Sequence, residues 1–209
     1  PDDGKIVNHH TLFKSNLKDP KPKWEEIYKF PSKFNGTKAR IKILGNEKME
    51  EIYIISYPTI LKNKDNKNFD GTINHRLYLS RNKGKKFIEI SLPPIRQVLG
   101  VKSFDNGIVM KVELDRKNEK SIIWYSSKAK NWRFVHLESD LESWHPVKNY
   151  VLSIDVDNNI LKIEPNGRIT EVHSLGNNSN NIKQSPHLAI AGEDIFLSSY
   201  TIWKLKNKW

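Results

Sequence analysis

The sequence predicts an all-β chain, and three observations carry that expectation. Val, Ile, Tyr, Phe and Trp fall in short alternating runs, the period of a half-buried strand, while helical periodicity is weak throughout. Clusters of Gly, Asn, Asp, Pro and Lys punctuate those runs, as turns between strands require. Related strand–turn–strand units then recur along the chain. At 209 residues the chain is long enough to bury a core without staples, and with no cysteine it has neither disulfides nor thiolate chemistry. No apolar run approaches the roughly 18 residues of a membrane helix.

Taken in order, the first strands are expected at 10–15 and 23–30, joined by a turn over 16–22. Runs at 39–44 and 51–57 follow, and a polar loop spans 62–71. Residues 77–91 form the clearest hairpin, alternating on both sides of a turn in which Gly84 sits where the backbone needs a positive φ. In the second half, 97–104 turns at Asp105-Asn106-Gly107 into 108–114, and Asn-Gly is a strong hairpin signal. Residues 122–126 turn through 128–131 into 132–137. Residues 150–155 precede a hairpin of 160–163 and 168–173, turning at Glu164-Pro165-Asn166-Gly167. The stretch 176–182 reads as a surface loop, and 187–190, 194–198 and 201–205 supply the last strands. Phe87, Trp132 and Ile169 each open the second strand of a hairpin, at intervals of 45 and 37 residues. A period near 40 with several strands per unit is the signature of propeller blades. The expected architecture is one domain over 1–209, a small β-propeller-like ring of about four to five antiparallel blades. Its N- and C-terminal strands would complete one blade together and leave no open edge.

The spacing Ser80-x-Asn82-x-Gly84-x-x-Phe87 resembles the Asp-box, the Ser-x-Asp-x-Gly-x-x-Trp hairpin of sialidase-like β-propellers, with Asn in place of Asp and Phe in place of Trp. Ser126 and Trp132 keep the Ser and Trp in a hairpin one residue shorter and without the glycine, and 164–169 keeps only Asn-Gly. The resemblance implies that Ser80, Asn82, Gly84, Phe87, Ser126 and Trp132 are structural, bonding within turns and packing between blades away from the ligand face. It does not extend to catalysis. Sialidases of this fold use an arginine triad and a Tyr–Glu nucleophile pair and carry an Arg-Ile-Pro-like segment near their start, whereas the N-terminal third here holds only Arg40, and Pro93-Pro94-Ile95-Arg96 is reversed and misplaced.

The formal charge of +11 invites a nucleic-acid partner, but only seven of the 35 basic residues are arginine, the bidentate reader of phosphates and guanines. The lysines are scattered among Asn and Ile, which points away from nucleic acid and leaves an acidic protein or anionic lipid as the match for a basic face. The densest polar cluster is 138–146, with Asp140, Glu142, Trp144 and His145. Paired carboxylates suit acid–base work. A segment joining two blades on a basic protein is instead expected to be a solvated loop whose Trp144, His145, Glu142 and Asp140 serve binding. His9 and His10, adjacent on an extended strand, point to opposite faces and make a poor metal pair. Asp155-Val156-Asp157-Asn158-Asn159 lacks the later Gly and Glu of a calcium loop and reads as a strand-ending turn. No Gly-x-Ser-x-Gly or glycine-rich phosphate loop is present. Neither a metal nor a cofactor is expected.

The expected function is therefore non-catalytic protein binding. In size, Lys/Asn/Ile-rich composition and decayed repeats the chain also resembles bacterial type VI secretion immunity proteins, which implies a toxin, such as a lipase effector, as partner. The chain opens at Pro1 without an apolar leader, so an exported, periplasmic or extracellular protein with its leader removed is expected. The alternative is a carbohydrate-binding or degenerate sialidase-like protein acting on glycans.

Overall fold

The structure is a computed structural model that describes residues 10–15, 20–21, 23–30, 39–45, 51–58, 75–105, 107–114, 119–174, 187–191, 194–198 and 202–205. The expected loops at 62–71 and 176–182, together with His9 and Asn106, lie outside the described residues. Every described regular element is a strand, so the protein is all-β. The chain divides into two compact units, Pro1–Leu92 and Pro93–Trp209.

In the first unit, β1 (His10–Lys14) and β2 (Glu25–Phe30) pair as an antiparallel ribbon. Strands β3 (Ala39–Gly45), β4 (Ile52–Pro58), β5 (Arg76–Ser80) and β6 (Ile88–Ile90) form a four-stranded antiparallel meander in that order. The second unit repeats the plan. Strands β7 (Gln97–Phe104), β8 (Gly107–Glu113), β9 (Lys120–Ser126) and β10 (Asn131–His136) make one meander. A second comprises β11 (Leu141–Val147), β12 (Tyr150–Asp155), β13 (Asn159–Ile163) and β14 (Ile169–Ser174), and β15 (His187–Ala191), β16 (Asp194–Ser198) and β17 (Ile202–Leu205) form a three-stranded sheet.

Burial follows strand position. Tyr53, Ile54 and Ile55 of β4, Leu77 to Leu79 of β5, Ile108 to Met110 of β8 and Ile122 to Tyr125 of β9 are buried without alternation, because inner strands are covered on both faces. The last strands, β10 and β14, are mostly exposed. In the second unit, Val109, Ile122, Trp124 and Val135 of one meander pack against Leu141, Trp144, Val151 and Ile163 of the next. Leu152, Ile154 and Ile160 then pack on Leu188, Ile195 and Leu197 of the three-stranded sheet. Within this unit the sheets thus stack face to face in chain order, as propeller blades do, and each of the aliphatic side chains contributes about 1.5–3 kcal/mol on burial.

One expected element is corrected. The segment 138–146 is not a connecting loop, because its second half is β11, the first strand of its meander. Alternation is broken there by a bulge between Leu141 and Ser143, and Pro146 sits on a strand paired only on its β12 side within the sheet, where its missing N–H is tolerated. Strand β7 carries the matching bulge between Val98 and Gly100.

Candidate functional site

The hairpin joining β5 to β6 is organised by two side chains. The Ser80 hydroxyl, fully buried, accepts from the Gly84 amide at 2.9 Å and donates to Asn82 Oδ1 at 2.9 Å. Asn82 Oδ1 also accepts from the Lys86 amide at 2.9 Å. Lys83 and Gly84 take φ of 58° and 86°, and Phe87 is buried against Ile54 and Tyr78. The turn 81–86 is therefore a clamped backbone carrying exposed Arg81, Lys83, Lys85 and Lys86.

At the β12–β13 turn, Asp155 plays the part that Ser80 plays above. Its Oδ1 accepts from the amides two and four residues on, Asp157 at 3.0 Å and Asn159 at 2.8 Å, and Asn158 takes φ of 64°. Oδ2 accepts from Asn159 Nδ2 at 3.2 Å, so the buried carboxylate organises its own strand-ending turn. At the β9–β10 turn, Ser126 Oγ accepts from the Ala129 amide at 3.2 Å, and Lys130, at φ 52°, takes the left-handed position. Trp132 is half-buried, its ring centroid 5.0 Å from that of Tyr125 opposite.

The four residues expected to bind a partner do not converge. Asp140 is an ion-pair hub, with Lys111 Nζ of β8 at 2.5 Å from Oδ1 and Lys120 of β9 paired to Oδ2. Lys111 also donates to the Leu141 carbonyl at 2.7 Å. Burial pushes the Asp140 carboxyl up, but hydrogen bonds from Lys111 and Lys120, the Lys111 charge and the Leu141 amide outweigh it and hold it down to about 2. Glu142 is exposed at the bulge. Trp144 is buried over Gly100, where a Cβ would stand 2.9 Å from its ring, and Lys102 Nζ lies 4.9 Å from the ring centroid while donating to the Trp144 carbonyl at 2.5 Å. Its indole joins two sheets and is closed to a partner. His145 turns the other way, toward β15, where it bonds to the Leu188 backbone. Burial first, and the Lys102 charge second, hold its pKa below the usual histidine value. The neighbouring Ser143 Oγ accepts from the Leu188 amide at 3.0 Å. Lys102, Lys111 and Lys120, which organise this region, carry no sequence signal beyond being lysines on strands.

A shallow cleft is lined by Glu119, Lys120, His136 and Leu137, and the buried Ser121 bonds to its histidine, giving a Ser–His–Glu group that no motif announces. Ser121 Oγ lies 3.2 Å from His136 Nδ1, and Glu119 Oε2 lies 4.0 Å from the same nitrogen. A nucleophilic triad needs acid and hydroxyl on opposite ring nitrogens, with the hydroxyl open to substrate. Here both address one nitrogen, and Ser121 is fully buried. The arrangement orients a side chain and does not activate a nucleophile. Among the described residues, no group of three His, Asp or Glu side chains is placed to hold a metal ion, and no helix is long and apolar enough to cross a membrane.

Among the described residues of the first unit, the large exposed apolar side chains are Phe13 (50 % exposed), Trp24 (68 %), Ile41, Ile43 and Ile88. Phe13 faces Glu26 across the β1–β2 ribbon, and Trp24 directly precedes β2.

No protein-family model matches the chain, and no curated protein matches it in sequence. Solved structures that resemble it include HIRA residues 644–1017 (13 % identity, 79 % of this chain, TM-score 0.46), of which this chain spans about half (48 %). The computationally designed Ika4 protein (13 % identity, TM-score 0.46) matches over 82 % of this chain and 93 % of its own. A nidogen/laminin complex chain (12 % identity, TM-score 0.41) matches over 95 % and 89 %.

Proposed function

We propose that this chain is a non-catalytic protein-binding module on a propeller-like scaffold of the Asp-box kind. In its more specific form, it is an exported bacterial immunity protein that neutralises a secreted toxin such as a type VI lipase effector. The supporting observation is the exposure of two large aromatic side chains at the β1–β2 ribbon, Phe13 on β1 and Trp24 at the entry to β2. A Trp left 68 % exposed and a half-exposed Phe are the kind of aromatic anchors that protein interfaces bury. The Ser–His–Glu group, by contrast, has the wrong geometry for chemistry.

The test is co-expression with the product of the neighbouring gene. Protection of the producing cells and a nanomolar complex are expected, with at least tenfold weaker binding for Trp24→Ala and Phe13→Ala. Absence of both protection and complex rejects the toxin partner. The same exposed Trp24 favours a second reading, since a free indole face stacks on sugar rings. Binding on a glycan array, or cleavage of a fluorogenic sialoside, would replace the first reading with that one.

A further inference from the structure

The turn 81–86 presents four cations in six residues, all exposed, and leads from β5 into β6, the edge strand of its meander. Its backbone is held by Ser80 and Asn82, so the cations project from fixed positions. Of the acidic side chains around it, Glu51 lies 3.8 Å from Arg81, and Glu89 lies 4.0 Å from Arg76. Lys83, Lys85 and Lys86 form the free end of the tip, and Ile88, two residues on, is 44 % exposed.

We propose that this tip is a docking surface for an anionic phospholipid bilayer. Three features select that partner. First, the tip holds no aromatic or other large apolar side chain that a protein partner would bury as an anchor, because Phe87 is turned into the core. Second, it lacks what nucleic acid asks of a basic loop: no ring is available for base stacking, and its one arginine fork faces Glu51. Third, lysine ammonium groups act as point charges that need only a negative potential, and an exposed Ile beside them reaches the interfacial region. The charge is short-ranged, decaying over about 10 Å at 0.1 M salt, so only the tip and its flank engage. Adsorption is reversible and places the β5–β6 end of the first unit against the headgroups.

Sedimentation with vesicles of phosphatidylcholine and 30 % phosphatidylglycerol tests this on the full chain. Wild type is expected to partition onto these vesicles at 0.1 M salt and not onto pure phosphatidylcholine. At roughly fivefold per cation lost, Lys83→Glu, Lys85→Glu and Lys86→Glu together weaken partitioning by at least about a hundredfold, and the three added negative charges weaken it further. These substitutions leave Ser80, Asn82 and Gly84 in place, and circular dichroism checks the fold. The matched control, Lys128→Glu with Lys130→Glu and Arg133→Glu at the β9–β10 turn, is expected to lose less than threefold. An equal loss in both variants overturns the tip as the site, leaving diffuse charge only. Wild type that ignores the anionic vesicles overturns the proposal outright. Tighter, tip-dependent binding to oligo-dT or polyglutamate overturns the bilayer in favour of nucleic acid or an acidic protein.

Discussion

Replacing Asp140 by Asn removes the carboxylate that ties the β7–β10 meander to the start of the β11–β14 meander. Its carboxyl titrates near 2 in the folded chain, against 3.8 ordinarily. A group depressed in this way contributes stability above its unfolded pKa and loses it as pH falls through the folded value. Converted in full, the difference is about 2.4 kcal/mol. The side chain is 38 % exposed, and screening by water brings the contribution to about 1 kcal/mol. The substitution also leaves Lys111, only 11 % exposed, with the Leu141 carbonyl as a neutral partner, which adds a cost of the same order. Asp140→Asn is therefore expected to lower stability by about 1–2 kcal/mol at pH 7, read by urea unfolding of mutant and wild type side by side. The gap should be constant from pH 7 to pH 5, fall to about half its carboxylate part by pH 3, and shrink in 1 M salt. Equal midpoints at pH 7, or a gap that does not change between pH 5 and pH 3, would refute the reasoning.

Four further outcomes follow from geometry. Gly107→Ala places a Cβ 1.9 Å from the Tyr125 carbonyl, against backbone that cannot yield, and should cost about 3 kcal/mol or prevent folding. Gly167→Ala, at φ 95° with nothing within 4 Å, should cost only about 1 kcal/mol; thermal melts that reverse this order would contradict the packing at β8–β9. Ser80→Ala should destabilise by about 1–2 kcal/mol and raise hydrogen exchange at the Gly84 amide, whereas unchanged exchange would deny the clamp. Ser153 Oγ is buried with no protein partner, so Ser153→Ala should leave stability unchanged or raise it by up to about 1 kcal/mol, and a loss above that would reveal a partner.

The hairpins were legible wherever alternation and turn chemistry agreed. Residues 77–91 show this best, because Ser80, Asn82 and Gly84 advertise the turn that the backbone makes. Strand β11 was illegible for physical reasons. A bulge at Glu142 shifts the period, Pro146 argues against a strand, and the polar residues of its sequence, Ser143 and His145, are satisfied by β15 far along the chain. The same blindness hid the candidate site's true nature. Nothing local tells that Trp144 lies over Gly100, or that Asp140 is held by lysines 29 and 20 residues earlier. The left-handed turn positions held by Lys83 and Lys130 are likewise unmarked, because in those turns hydrogen bonds to Ser80, Asn82 and Ser126, rather than the absence of a side chain, set the backbone.

Every strand pairing within these sheets joins neighbours in the sequence, β3 to β4 to β5 to β6 and so on through β17. Such local closure keeps loop entropy low, so each sheet can nucleate as soon as its own residues are available and need not await a distant strand. The chain should then assemble in order of synthesis, sheet upon sheet, and open in the same units under native exchange, the last strand of each meander exchanging before the two at its centre.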